Sequence, residues 1–125
     1  MGAGTMTPQT LSYVDQWERA FQILRDAGII KKNIRSYVLI GFKEGPQEAW
    51  DRCEYITGRG IKALPQWFHA LDAIEKNTVS TEQARMGWVH TERALIMQYY
   101  YQRGKHRAKI QKLGRLKTHY NVKGQ

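Results

Sequence analysis

The stretch Ser36–His69, reading SYVLIGFKEGPQEAWDRCEYITGRGIKALPQWFH, constrains the fold more than any other part of the chain. Tyr37-Val38-Leu39-Ile40-Gly41-Phe42 is a short apolar run of β-forming residues bounded by charge, the pattern of a strand buried on both faces. Glu44-Gly45-Pro46 turns the chain, and proline suits a first helical residue because the N–H it lacks has no partner inside the helix. Ala49, Trp50, Cys53 and Ile56 then recur at helical spacing, Gly58 and Gly60 stop the helix, and Ile61–Phe68 resumes an extended pattern. Two strands joined by one helix over so short a span pair in parallel through a crossover, which predicts an α/β fold.

Upstream, Leu11, Val14, Trp17, Phe21 and Leu24 mark an amphipathic helix from about Thr10 to Ala27, ended by Gly28. Ile29–Ile34 links it to the first strand. Beyond Phe68, the segment His69–Ile74 reads as a loop or a short helical turn. Ser80 with Gln83 three residues on is a capping box opening a short helix over Glu82–Met86. Thr91 is expected to cap a longer helix through Ala94, Leu95, Met97, Gln98 and Tyr101, interrupted at Gly104. The expected order is helix, strand, helix, strand, followed by C-terminal helices. Only two strands of good quality are present, so the sheet has open edges, and a protein partner or a second copy of the chain is expected to complete it.

Charge divides the chain. Residues 1–92 hold 11 Lys/Arg and 11 Asp/Glu, whereas residues 93–125 hold nine Lys/Arg and no acid, which accounts for the whole formal charge of +9. This suggests an incomplete α/β domain over 1–102 and a basic tail over 103–125. Arg103, Lys105, Arg107, Lys109 and Lys112 are candidate polyanion contacts, for nucleic acid or an acidic protein face. Tyr99-Tyr100-Tyr101 precede them, and because consecutive helical residues point in different directions, at most one or two share a face with the arginines. No stretch approaches the length of a membrane span and no basic-then-apolar leader opens the chain, so a cytoplasmic protein without a membrane partner is expected.

Cys53 is the sole cysteine, which excludes an internal disulfide and a cysteine-ligated cluster, and its place on the apolar stripe predicts a buried small hydrophobe. His69, His90, His106 and His119 share no short metal spacing, so no metal site is expected. No residues form a recognisable catalytic triad, and no catalytic residue is assigned.

From Trp17 to about Phe68 the chain resembles the later part of the radical S-adenosylmethionine (radical SAM) partial barrel. The resemblance rests on Ala27-Gly28-Ile29 closing a helix, the strand Ser36–Phe42, the turn into Pro46-Gln47-Glu48-Ala49, Arg52 on the next helix, and Gly60-Ile61 entering a strand with Pro65. The family's loose G-x-I-x-G-x-x-E pattern falls on Tyr37, Leu39, Gly41 and Glu44: the last two match, Leu39 is conservative, and Tyr37 departs. The resemblance implies Gly41 and Glu44 at the adenine side of a bound cofactor and Gln66 and His69 at the substrate side. The family's C-x-x-x-C-x-x-C loop, which holds a [4Fe–4S] cluster, is absent. The chain therefore binds no cofactor independently on this reading, and S-adenosylmethionine enters only with a partner chain that supplies the cluster. Without the resemblance, Gly41 reads equally as a turn glycine and Glu44 as a charge beside a helix N-terminus. The alternative function is a small basic binding module or inhibitor that works through its tail.

Overall fold

The computed structural model describes residues 7–102, and the polyanion candidates from Arg103 onward lie outside the described residues. Thr7 caps the first helix, its hydroxyl accepting from the Thr10 N–H at 3.1 Å, and Pro8 follows as the first helical residue. This helix, α1, runs Pro8–Asp26. A 3₁₀ turn at Lys31–Asn33 leads into β1 (Arg35–Ile40), then α2 (Pro46–Gly58), β2 (Lys62–Trp67), α3 (Thr81–Arg85) and α4 (His90–Gln102).

The strands β1 and β2 pair in parallel as expected, with Val38 opposite Pro65, Leu39 opposite Gln66 and Ile40 opposite Trp67. Among the described residues the sheet has these two strands and does not close. Alternation follows from the pleat. Val38, Ile40, Ala63, Pro65 and Trp67 turn to one face and are buried there with Ala49, Trp50, Cys53 and Ile56 of α2. Burying a side chain of this size stabilises by roughly 1.5–3 kcal/mol, so the α2 stripe outweighs any propensity effect in fixing the helix on the sheet. The packing also confirms Cys53 as a core residue.

The opposite face corrects the sequence reading of a strand buried on both sides. Tyr37 is 70% exposed and Leu39 49%, beside an exposed Gln66. Their apolar character matches a doubly covered strand, but no described element lies over them. The apolar stripe of α1 is also narrower than its spacing predicts. Tyr13, Trp17 and Phe21 pack inward, with Trp17 stacked on Phe21 at 5.0 Å and edge-on to Tyr55 at 6.2 Å, while Leu11 and Leu24 remain exposed.

The outer side of β2 is closed chemically. The Phe68 N–H donates to the Ile40 carbonyl at 2.9 Å, which fixes even-numbered β2 residues toward β1 and odd-numbered ones outward. Pro65 therefore lacks an N–H where a third strand would need one, and its carbonyl is taken by the Tyr101 hydroxyl of α4 at 2.9 Å. The buried stripe of α4 is Ile96, Tyr99 and Tyr100, leaving Tyr101 at the margin. The helix begins at His90, one residue before the expected cap at Thr91. No helix among the described residues is long and apolar enough to cross a membrane.

Candidate functional site

Parallel α/β sheets offer ligands the carboxyl ends of their strands, and here the segments after β1 and β2 are tied into one polar network. Gly41, with φ +86°, turns the chain out of β1. A Cβ there would stand 2.8 Å from the Trp67 ring and 3.0 Å from Gln83 Nε2, so both the dihedral and the space require glycine. Its N–H donates to Glu44 Oε2 at 3.0 Å, and its carbonyl accepts from Gln83 Nε2 at 3.0 Å. Lys43 between them also adopts a left-handed conformation, φ +54°.

Glu44 is buried, 3% exposed, and its second oxygen is paired with Arg52 Nη1. The other terminal nitrogen of Arg52 donates to the Leu39 carbonyl at 2.5 Å, and the guanidinium lies over the Tyr13 ring at 5.1 Å. Burial pushes the Glu44 carboxyl above its ordinary value, against the opposing pull of the Arg52 guanidinium and the Gly41 N–H. Burial alone would lower Arg52, and the Glu44 carboxylate more than reverses that. The helix N-terminus that Glu44 was expected to stabilise is served instead by Glu48, whose Oε1 accepts from the Gly45 N–H at 3.2 Å.

Gln83 joins the two strand ends. Its Nε2 donates to the carbonyls of Gly41 and Phe68, each at 3.0 Å, while its Oε1 accepts from the Ser80 N–H at 2.9 Å in the expected capping box. Trp88 Nε1 donates to the Glu44 carbonyl at 2.9 Å and packs edge-on against Trp67 at 4.8 Å. Sequence pattern assigns Gln83 only its capping role. Nothing in its local pattern reports contacts with residues 42 and 15 positions away.

A groove of about 350 Å³ opens between α1 and the end of β1. Gln9, Ser12, Tyr13 and Gln16 form one wall, Leu39 and Phe42 the other, and the Glu44–Arg52 pair borders it. His69 lies elsewhere, in a cavity of about 340 Å³ with Phe68, Glu75 and Gln83, its Nδ1 3.1 Å from the Ala70 carbonyl. Gln66 belongs to the uncovered sheet face and donates to the Tyr101 hydroxyl at 3.0 Å. The four candidates thus share one end of the sheet, with Glu44 and His69 lining different cavities. Gly41 and Glu44 are buried, and their polar groups are paired with each other and with Gln83 and Arg52. The described residues contain no group of three or more His, Cys, Asp or Glu side chains placed to hold a metal ion. No family model, no curated protein and no solved structure matches the chain.

Proposed function

We propose that this chain is a radical SAM-like domain fragment without a cluster of its own, working docked onto another chain that covers its open sheet face. The observation that carries this reading is that face: Tyr37 and Leu39 are 70% and 49% exposed on a parallel sheet, an architecture ordinarily covered on both sides. Phe42, 41% exposed at the end of the same strand, extends the apolar surface. The order of helix, strand, helix and strand around Gly41 and Glu44 supports the family resemblance. On this reading S-adenosylmethionine belongs to the assembly, and the partner supplies the three cysteines.

The test places a photo-crosslinking phenylalanine analogue at Tyr37 in the full chain, expressed in its native source. The expected product is a heterologous adduct whose partner carries a C-x-x-x-C-x-x-C loop and an iron–sulfur absorbance. Leu39→Lys, a change on the exposed face, is expected to abolish the adduct while leaving the fold intact. Crosslinking only to a second copy, or no adduct at all, refutes the proposal.

A further inference from the structure

The segments that enter the two strands meet at the other end of the sheet. The 3₁₀ turn before β1 and the turn after α2 enclose a cleft of about 440 Å³. Lys31, Lys32, Arg35 and Lys62 line it, and no carboxylate does. None of the four forms an ion pair among the described residues.

The end of α2 does not consume this charge. Three carbonyls of its last turn, on Tyr55, Ile56 and Thr57, already accept from the N–H groups of Arg59, Gly60 and Ile61. Arg59, the nearest further cation in sequence, is held away by Glu18, its Nε donating to Oε2 at 2.7 Å. Gly60, with φ +84°, carries no side chain where a Cβ would stand 3.4 Å from Lys31 Cδ, so the stem of Lys31 lies against the turn. Four like charges gathered with no carboxylate side chain lining the cleft repel one another, and a multiply charged anion relieves that repulsion. A single carboxylate would leave most of the charge unmatched. No aromatic side chain lines the cleft, so it is built to read charge and not a base face.

We infer that this cleft binds phosphate groups, supplied either by a free polyphosphate or by a nucleic-acid backbone. The site is separate from the docking face, at the opposite end of the strands from Gly41 and Glu44, and its occupancy does not depend on a partner chain.

The experiment titrates the full, isotopically labelled chain with pyrophosphate, and separately with a single-stranded oligothymidylate, following the amides of Thr57, Gly60 and Ile61. It is repeated on K31Q/K62Q, on Arg35→Gln, and on a tail control, K109Q/K112Q. The three cleft amides are expected to shift, and the shift is expected to be lost in K31Q/K62Q, weakened in Arg35→Gln and retained in the tail control. For the oligonucleotide, each lost phosphate contact flattens the dependence of log affinity on log salt by about 0.7, so K31Q/K62Q should flatten it by about 1.4. Response to pyrophosphate identifies a free polyphosphate as sufficient, whereas response to the oligonucleotide alone identifies the nucleic-acid backbone. Unmoved cleft amides with both probes, or unchanged affinity and salt slope in folded K31Q/K62Q, overturns the inference.

Discussion

Arg52→Met removes the guanidinium from a carboxylate that is 3% exposed, and Glu44→Gln removes the carboxylate from a guanidinium side chain that is 8% exposed. Breaking one partner of a buried pair costs about 3–5 kcal/mol, a large share of the roughly 5–15 kcal/mol that holds a natural domain together. The two single changes are not equivalent. Arg52 cannot shed its proton at any working pH, so Glu44→Gln carries the full penalty of an uncompensated buried cation. Glu44 can take up a proton. Burial already pushes its carboxyl upward, and Arg52 is what opposes this, so Arg52→Met raises it further. A carboxyl raised in the fold contributes stability below its unfolded value of 4.5, and that contribution is lost as pH rises through the folded value. Arg52→Met should therefore be less damaging near about pH 5 than near about pH 8, whereas Glu44→Gln shows no such relief. The double variant E44Q/R52M removes both charges of the pair and should cost no more than the worse single change, a coupling of about 3 kcal/mol. Urea unfolding of the four proteins at both pH values measures each quantity. Single costs that add to within about 0.5 kcal/mol would refute the buried pair as the organiser of this rim.

Two further outcomes follow from the same region and from the core beneath it. Gly41→Ala combines a left-handed backbone, costing about 1–2 kcal/mol for any residue with a Cβ, with a 2.8 Å approach to the Trp67 ring. Overpacking adds about 1–3 kcal/mol, so a lowering of unfolding stability by about 2–5 kcal/mol is expected, and a loss under about 1 kcal/mol contradicts the geometry. Burial pushes the Cys53 thiol and the Tyr100 hydroxyl above their ordinary values of 9.0 and 10.0, so both stay neutral in the fold after the unfolded chain has ionised. That stability is complete below these values and drains as pH rises past them, at about 1.4 kcal/mol per pH unit for each group. Thermal melts should fall from about pH 9 upward while Cys53 stays inert to thiol reagents in the native protein. A flat profile to about pH 10.5, or rapid native labelling, argues against both burials.

The backbone plan was legible because it is written in local pattern. Pro46 opens α2, the Ala49–Trp50–Cys53–Ile56 stripe seats it, and Ser80 with Gln83 forms the capping box. Long-range chemistry was not. An apolar strand reads the same whether one face is covered or two, so Tyr37 and Leu39 looked like core. Glu44 beside a helix N-terminus looked like a dipole partner, yet its carboxylate turns back to Gly41 and Arg52, a pairing that only the folded distance reveals. The cations of the basic cleft come from two segments about thirty residues apart, each unremarkable as a linker or turn, and they become a cluster only because parallel strands bring their entry points together.

Pro65 and Tyr101 have a consequence for how copies of this chain can associate. Strand-mediated polymers grow because every added molecule presents a fresh edge identical to the one it consumed. Here the outward side of β2 lacks a donor at Pro65 and has its acceptor masked by the Tyr101 hydroxyl, so head-to-tail stacking of β1 on a neighbour's β2 is blocked. The remaining route, β1 against β1, is isologous and ends at two molecules. A sheet that is not closed is thereby kept from seeding a fibre.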